Sequence, residues 1–318
     1  MPVSQSAPAP PRLEAPVRRF QHYEAAVQAM AEYQATLCEN ASRRRANGLT
    51  VTDQDQPEEV FGLFPAGAGH PPLAIIGGMG ALAGALAFGQ ACARFRDSRA
   101  VVLYQACSTP DRSTIILGEG RPDTPLCREM ALRLAAAVRL AVDIAPPASH
   151  PARCIIACNS AHFFWRLMAD NLHQTATRSR DVQMISLVES SVEALRFQAC
   201  RRALLLATAG AQAGEVFSTP FRDAGIAFDE PSPLLSRLLM RAIFEGMKSL
   251  DERRAVELGN EFFEAILRSG QGYDCVLAGC TELPLTINLL RLKGSPAVAA
   301  FLSRVKIVDP LEEALCHA

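Results

Sequence analysis

Short apolar runs alternate with longer helical patterns along most of this chain. Leu73 to Gly77 reads LAIIG and is followed by a helical pattern that ends at Phe95, and the same order recurs at AVVLYQA and RCIIAC. Strands that alternate with helices form parallel sheets. The pattern restarts at VQMISLV and runs through RALLLATAG, IAFDEP, DCVLAGC and VKIVDP. The sequence therefore predicts an α/β protein with two similar domains, each a parallel β-sheet flanked by helices.

The two halves also share a local signature. CIIACNS, ending at Ser160, and CVLAGCTE, ending at Glu282, each finish a buried strand on a cysteine that small polar residues follow. We interpret this match as an internal duplication with pseudo-two-fold symmetry; the alternative, that two unrelated strand ends look alike, stays open. The predicted first domain comprises residues 71–182 and 298–318, and the second comprises residues 183–297.

Residues 1–70 precede this pattern and are predicted to form an N-terminal extension. Its first residues, up to about residue 17, are rich in Pro, Ala and Ser, which predicts disorder. Phe20 to Arg45 has apolar residues at three- and four-residue steps, typical of an amphipathic helix. Gly48 to Pro72 is predicted to be a linker. The extension resembles the leaders of bacterial effectors exported by type III secretion; an oligomerisation helix and a cloning or gene-model extension are equally open.

Composition excludes several classes of partner. The 318 residues carry 32 Lys and Arg against 33 Asp and Glu, so no positive field attracts nucleic acid or anionic lipid. Ten cysteines are too dilute for a disulfide scaffold and lack zinc-site spacing, which predicts reduced thiols and no metal. The uncharged stretch from Pro71 to Ala93 has nearly the length of a membrane span, but its glycines predict a strand, a turn and a helix instead.

Two cysteines carry the predicted chemistry. Cys158 and Cys280 each follow a strand at the edge where parallel sheets bind ligands, and each precedes a helix whose N-terminus favours thiolate. Thiols on opposite sides of one cleft suit removal of a proton from one face of a carbon and its delivery to the other face. For either cysteine alone, a buried structural thiol is the simpler interpretation.

A carboxylate is the ligand group predicted to bind beside these thiols. The loop Gly77–Gly80 follows a strand and opens a helix, so its N–H groups are placed to bind an anion. Arg112 follows a neighbouring strand and offers a bidentate clamp for a carboxylate. The alternative for Arg112 is a surface ion pair with Asp111 or Asp123.

Two further residues are possible auxiliaries. His162, four residues after Cys158, would either tune that thiol or simply pack in the core. Glu282 would either assist proton handling at Cys280 or cap its helix.

These residues resemble the aspartate/glutamate racemase superfamily, and the aspartate racemase branch most closely. The matching segments follow the family order over residues 73 to about 315, and they are Ile76-Gly77-Gly78-Met79-Gly80, Pro110-Asp111-Arg112, Ile116-Leu117-Gly118, Cys158-Asn159-Ser160-Ala161-His162, Leu206-Ala207-Thr208 and Ala278-Gly279-Cys280-Thr281-Glu282-Leu283.

The resemblance implies two α/β domains with the active site between them, no pyridoxal phosphate or other cofactor, no metal and a homodimer. Cys158 and Cys280 would be the acid/base thiols, and Arg112 would receive a side-chain carboxylate. The strand VKIVDP would cross back to complete the first domain. The residues that would bind the substrate are Gly78, Met79, Arg112, Asn159, Ser160, Thr208 and Thr281.

Three departures from the family pattern predict an altered specificity pocket. Ala81 stands where family members usually have proline, and the segment from Gln105 to Ser108 stands where asparagine is typical. Thr219 falls near the position at which some aspartate racemases have a lysine.

The sequence thus predicts a cofactor-independent racemase acting on aspartate or glutamate as its small-molecule substrate. The predicted location is the cytoplasm, with export as an effector into a host cytosol as the alternative. Two other functions stay open: an isomerase or decarboxylase of dicarboxylates that uses one essential cysteine, and a degenerate racemase fold that binds a ligand or a host protein.

Overall fold

The computed structural model describes residues 16–174 and 181–318 and contains two β-sheets. The strands of the first sheet are β1 (Val17–Phe20), β2 (Val60–Leu63), β3 (Leu73–Gly77), β4 (Val101–Gln105), β5 (Ala152–Ile156) and β6 (Val182–Ile185). Their order is β1-β2-β4-β3-β5-β6, and every neighbouring pair is parallel except β2 and β4.

The second sheet is smaller and entirely parallel. Its strands are β7 (Ala203–Ala207), β8 (Phe228–Asp229), β9 (Cys275–Gly279) and β10 (Lys306–Val308). Their order is β10-β9-β7-β8. Parallel sheets flanked by helices confirm the predicted α/β class, whereas the pseudo-two-fold symmetry stays a prediction.

Helices connect the strands. They are α1 (Tyr23–Ala46), α2 (Ala81–Phe95), α3 (Arg112–Glu119), α4 (Pro125–Ile144), α5 (Trp165–Gln174), α6 (Leu187–Phe197), α7 (Ala209–Ala213), α8 (Ser218–Asp223), α9 (Pro233–Arg241), α10 (Glu252–Arg268), α11 (Leu283–Lys293), α12 (Pro296–Arg304) and α13 (Pro310–His317). Between IAFDEP and DCVLAGC the sequence pattern predicts a long helical stretch from Leu234 to Arg268. In the structure this stretch divides into α9, a π-helical segment (Ala242–Met247) and α10. The division occurs because Asp251 accepts a hydrogen bond from the Arg254 N–H and so starts a new helix.

Both faces of each sheet are buried, which explains the continuous apolar runs of the strands. Successive residues point to opposite faces, so Ala74 and Ile76 join one core cluster of the first sheet while Leu73 and Ile75 join the other. Two more clusters cover the faces of the second sheet.

The stretch from Pro71 to Ala93 forms β3, a glycine loop and most of α2, as predicted. Within residues 16–174 and 181–318, no helix is long and apolar enough to cross a membrane.

The N-terminal segment is part of the first sheet. The linker prediction for residues 48–72 is wrong at β2, because Val60, Phe61 and Leu63 are buried and pair with β4. Helix α1 covers this strand, with the Tyr33 ring against the Phe61 ring at a centroid distance of 5.2 Å. The predicted disorder concerns residues 1 to about 17, of which residues 1–15 lie outside the described part of the chain.

Two predicted strand assignments are wrong. Strand β6 pairs with β5 at the edge of the first sheet, although the sequence pattern placed it in the second domain. Strand β10 (VKIVDP) pairs with β9 in the second sheet, where Val308 joins the core, and does not complete the first sheet. The following helix α13 returns to the first sheet, whose core holds Leu311 and Leu315.

Candidate active site

One pocket forms where the carboxyl ends of strands from both sheets face each other. Cys158 lies just beyond β5, Cys280 follows β9, Thr208 follows β7, and Met79 lies in the loop after β3. The pocket is lined by Met79, Asp111, Arg112, Ser113, Cys158, Asn159, Ser160, Thr208, Phe244, Lys248, Cys280, Thr281 and Glu282. The two predicted thiols, Cys158 and Cys280, therefore line a common cleft at the carboxyl ends of the strands.

Cys280 faces a carboxylate. Its Sγ donates a hydrogen bond to Glu282 Oε2 at 2.9 Å, and Thr281 Oγ1 donates to the same oxygen at 3.1 Å. Burial, and next the negative charge of Glu282, raise the pKa of Cys280 well above its ordinary value. This cysteine is therefore held as a thiol with an acceptor for its proton beside it.

Cys158 faces a cation. Burial lowers the pKa of Arg112, but the neighbouring charges of Cys158 and Asp53 outweigh burial and raise it. The Arg112 guanidinium is buried, with a side chain only 5% exposed. A thiolate at Cys158 thus has a positive neighbour, whereas a thiolate at Cys280 would lie against the Glu282 carboxylate, whose effect on the pKa of Cys280 is only partly offset by the charge of Lys248.

Hydroxyl and amide groups line the floor between the thiols. Ser160 Oγ and Thr208 Oγ1 are 2.9 Å apart, and Ser113 Oγ donates to Thr208 Oγ1 at 3.2 Å. Asn159 is 3% exposed, and within the described residues neither its Oδ1 nor its Nδ2 has a hydrogen-bond partner. A buried amide without partners is costly, so its presence in a pocket indicates a ligand that supplies both a donor and an acceptor.

The glycine loop after β3 has a strict backbone requirement. Gly78 has φ +82°, and a Cβ there would lie 2.5 Å from the Ala106 backbone nitrogen. Ala81 and Gln105, two of the positions that differ from the family pattern, contact each other: Gln105 Nε2 donates to the Ala81 carbonyl at 2.7 Å. The loop also turns the Met79 carbonyl oxygen inward, where it accepts from Arg112 Nη2 at 2.8 Å.

His162 supports the backbone rather than the sulfur of Cys158. Its Nε2 accepts a hydrogen bond from the Leu187 N–H at 3.0 Å, so Nδ1 carries the proton and donates to the Cys158 carbonyl at 3.1 Å. Burial lowers the pKa of His162 to about 4, and its ring stacks on Trp165. His162 is therefore a neutral residue that fixes the turn at Cys158.

A model of the Asp/Glu/hydantoin racemase family matches residues 96–317, well over half of the chain. The chain belongs to the Asp/Glu/hydantoin racemase family. The superfamily resemblance found in the sequence is confirmed.

Solved structures of racemases share this fold. Aspartate racemase from Picrophilus torridus is 18% identical, with a TM-score of 0.56 over 78% of this chain and 92% of that chain. An aspartate racemase homologue from Pyrococcus horikoshii OT3 is 19% identical, with a TM-score of 0.54 over 78% of this chain and 97% of that chain.

Two charged residues at this site escaped the sequence analysis: Lys248, which lines the pocket, and Asp53, which contacts Lys248 from a neighbouring pocket. Lys248 Nζ donates to Asp53 Oδ2 at 2.6 Å and to the Met79 carbonyl at 3.2 Å, and it lies 3.8 Å from Glu282 Oε1. Asp53 Oδ2 is also 3.8 Å from Arg112 Nη2. The alternative of a surface Arg112 is thereby removed.

The signals for these residues in the sequence are weak. Asp53 lies in the segment predicted to be a linker, and Lys248 lies within a predicted helix. The one hint for Lys248 is rarity, since the chain has only three lysines, at positions 248, 293 and 306. Thr219, which falls near a lysine position of some relatives, is exposed and hydrogen-bonded to Glu215.

One group of side chains away from the pocket has potential metal ligands. Cys200, Asp274 and Cys275 have ligand atoms within 4.8 Å of one another. The Asp274 carboxylate already accepts the backbone N–H groups of Arg201 and Arg202 at 2.9 and 2.8 Å. Burial raises the pKa values of both thiols, which disfavours the thiolates that a metal requires. We interpret the group as structural, because Asp274 binds backbone N–H groups just before β7.

Proposed function

We propose that the protein is a cofactor-independent amino-acid racemase in which Cys158 and Cys280 exchange a proton with the substrate Cα. The observation that carries the proposal is the pair of buried thiols in one pocket with opposite electrostatic partners, Arg112 at Cys158 and Glu282 at Cys280. Family membership supports the reaction class.

In the proposed mechanism, the Cys158 thiolate removes the Cα proton from one face of the amino acid. The Cys280 thiol delivers its proton to the opposite face, so Cα is inverted and the two sulfurs exchange protonation states. The opposite enantiomer reacts with the roles reversed. The reverse reaction starts from Cys280 as the thiolate and Cys158 as the thiol, and Glu282 accepts the hydrogen bond of Cys280 whenever that sulfur is the thiol.

The polar floor would hold the groups that all amino acids share. Asn159 offers an amide donor and acceptor to the ammonium and carboxylate groups, and the hydroxyls of Ser160, Thr208 and Thr281 extend this surface. Aspartate and glutamate are the substrates expected from the family resemblance. Asparagine and glutamine have side chains of the same shape without the charge and serve as comparison substrates.

The test is Cα proton exchange followed by NMR in deuterated buffer, with both enantiomers of these four amino acids. Exchange with inversion is expected in the wild type and in Cys38→Ser, a control at an exposed thiol, and should disappear in Cys158→Ser and in Cys280→Ser. Inversion that survives either active-site substitution would refute the two-thiol mechanism. Loss in only one of these variants would favour one-cysteine chemistry.

A further inference from the structure

We infer that Asp53 supplies an internal carboxylate to the anion-binding corner of this pocket, formed by Arg112 and Lys248, and thereby selects amino acids with an uncharged side chain. The inference rests on the proposed racemase function and concerns its substrate class.

Asp53 is held by the kinds of group that bind a substrate carboxylate, and one of them, Arg112, is the residue to which the family resemblance assigns that role. Lys248 Nζ contacts Asp53 Oδ2 at 2.6 Å, and Arg112 Nη2 lies 3.8 Å from the same oxygen. The N–H of Ala81, the first residue of α2, donates to Asp53 Oδ1 at 3.4 Å. A helix N-terminus with two buried cations is a complete carboxylate site, and this one is filled from within the chain.

The position of Asp53 is fixed from both sides. Asp53 begins a 3₁₀ turn (Asp53–Asp55) whose capping box joins Thr52 and Asp55. The preceding helix α1 reaches the second half of the molecule through Arg45, which donates to the Ser249 carbonyl. Asp53 lies outside the segment that the family model matches.

The charges around the pocket indicate which substrate side chains can bind once Asp53 occupies the carboxylate site. Arg112 and Lys248 contribute two positive charges, and Asp53 and Glu282 contribute two negative charges. Asp111, which also lines the pocket, has its carboxylate engaged by the Thr114 N–H and hydroxyl at the start of α3. In the described part of the chain, the cations that line this pocket are Arg112 and Lys248, and both are already paired. A substrate side-chain carboxylate would therefore add an uncompensated negative charge, and such like-charge contacts are strongly unfavourable in a desolvated site.

A neutral hydrogen-bonding side chain fits this corner better. An amide offers an oxygen to Arg112 or Lys248 and an N–H to Glu282, whose Oε1 has no hydrogen-bond partner among the described residues, so it satisfies both signs at once. Asparagine and glutamine represent this class. Asp53 therefore acts as a specificity residue, while the thiols act on Cα whatever the side chain.

The test compares aspartate with asparagine, and glutamate with glutamine, in the full-length protein by calorimetric binding and by Cα exchange. We expect the wild type to favour the amides by about tenfold or more. Asp53→Asn, which keeps the shape but removes the charge, should shift the acid-to-amide ratio toward the acids by about tenfold or more. Glu39→Gln, at an exposed acid on α1, is the charge-matched control and should leave the ratio unchanged.

A wild type that favours the acids, a ratio that Asp53→Asn leaves unchanged, or no binding of any of the four amino acids would overturn the inference. If Asp53→Asn fails to fold, the wild-type ratio alone decides. A shift in binding without exchange in any variant would support the role of Asp53 and refute the racemase function, so the two proposals fail separately.

Discussion

Replacing Lys248 by methionine tests whether the buried charges depend on one another. The Lys248 side chain is 7% exposed, and it pairs with Asp53 at 2.6 Å and with Glu282 at 3.8 Å. Removing one partner of a buried ion pair typically lowers the free energy of unfolding by about 3–5 kcal/mol. Because Arg112 remains 3.8 Å from Asp53, we expect a loss near the lower end, about 3 kcal/mol.

The loss should depend on pH. Burial raises the pKa of Asp53, but Lys248 and Arg112 outweigh burial and lower it, so the stability due to Asp53 is present above the pKa of the unfolded chain and disappears as the pH falls through the folded pKa. Without Lys248, the pKa of Asp53 rises. The deficit of Lys248→Met is therefore largest near neutral pH and shrinks in acid, as Asp53 of the variant takes up a proton.

Urea unfolding of the wild type, Lys248→Met, Asp53→Asn and the double variant measures these effects, with the double-mutant cycle giving the coupling between the two side chains. We expect a coupling of about 1–3 kcal/mol. Additive effects, or a deficit that stays the same from neutral to acid pH, would refute the assignment of a coupled buried pair.

Three further predictions concern single positions. Glu282→Gln removes the charge that helps to raise the pKa of Cys280, so alkylation of Cys280, followed by mass spectrometry, should begin at a lower pH than in the wild type. Gly78→Ala should lower stability in thermal denaturation by about 1–3 kcal/mol because φ is +82° and the added Cβ meets backbone, whereas Gly89→Ala, with open space around it, should be neutral or stabilising. His162→Gln should lower the free energy of unfolding by about 1–3 kcal/mol. Burial lowers the pKa of His162 from 6.5 to about 4, so between these pH values the unfolded wild type binds more protons than the folded protein, and the stability of the wild type falls as the pH drops. Unfolding measured across this pH range should show a smaller fall in stability for the variant than for the wild type.

Periodicity and strand-end position predicted the features that depend on short stretches of chain. The alternation of strands and helices placed Cys158 and Cys280 at the correct sheet edges, and the glycine loop and Arg112 lie beside them. The Asp53 and Lys248 pair could not be predicted in this way, because the contact joins residues 195 positions apart.

The wrong strand assignments have a similar origin. A short strand such as β6 or β10 has too few side chains to indicate which of two sheets it joins, since both sheets bury apolar residues on both faces. The backbone partners are decided by packing that a linear pattern does not contain. Val308, for example, joins the second core although the helix after it belongs to the first.

The passage of the chain from β10 in the second sheet to α13 on the first has a practical consequence for dissecting the molecule. A fragment that begins at residue 183 would keep α13 and its neighbour α6 but lose the strands and helices of the first sheet that share a core cluster with Leu311 and Leu315. A fragment that ends at residue 182 would lack that same helix. Each piece would lack part of the core that α13 completes, so recombining the halves with those of a relative requires the first sheet, α6 and the terminal helix to stay together.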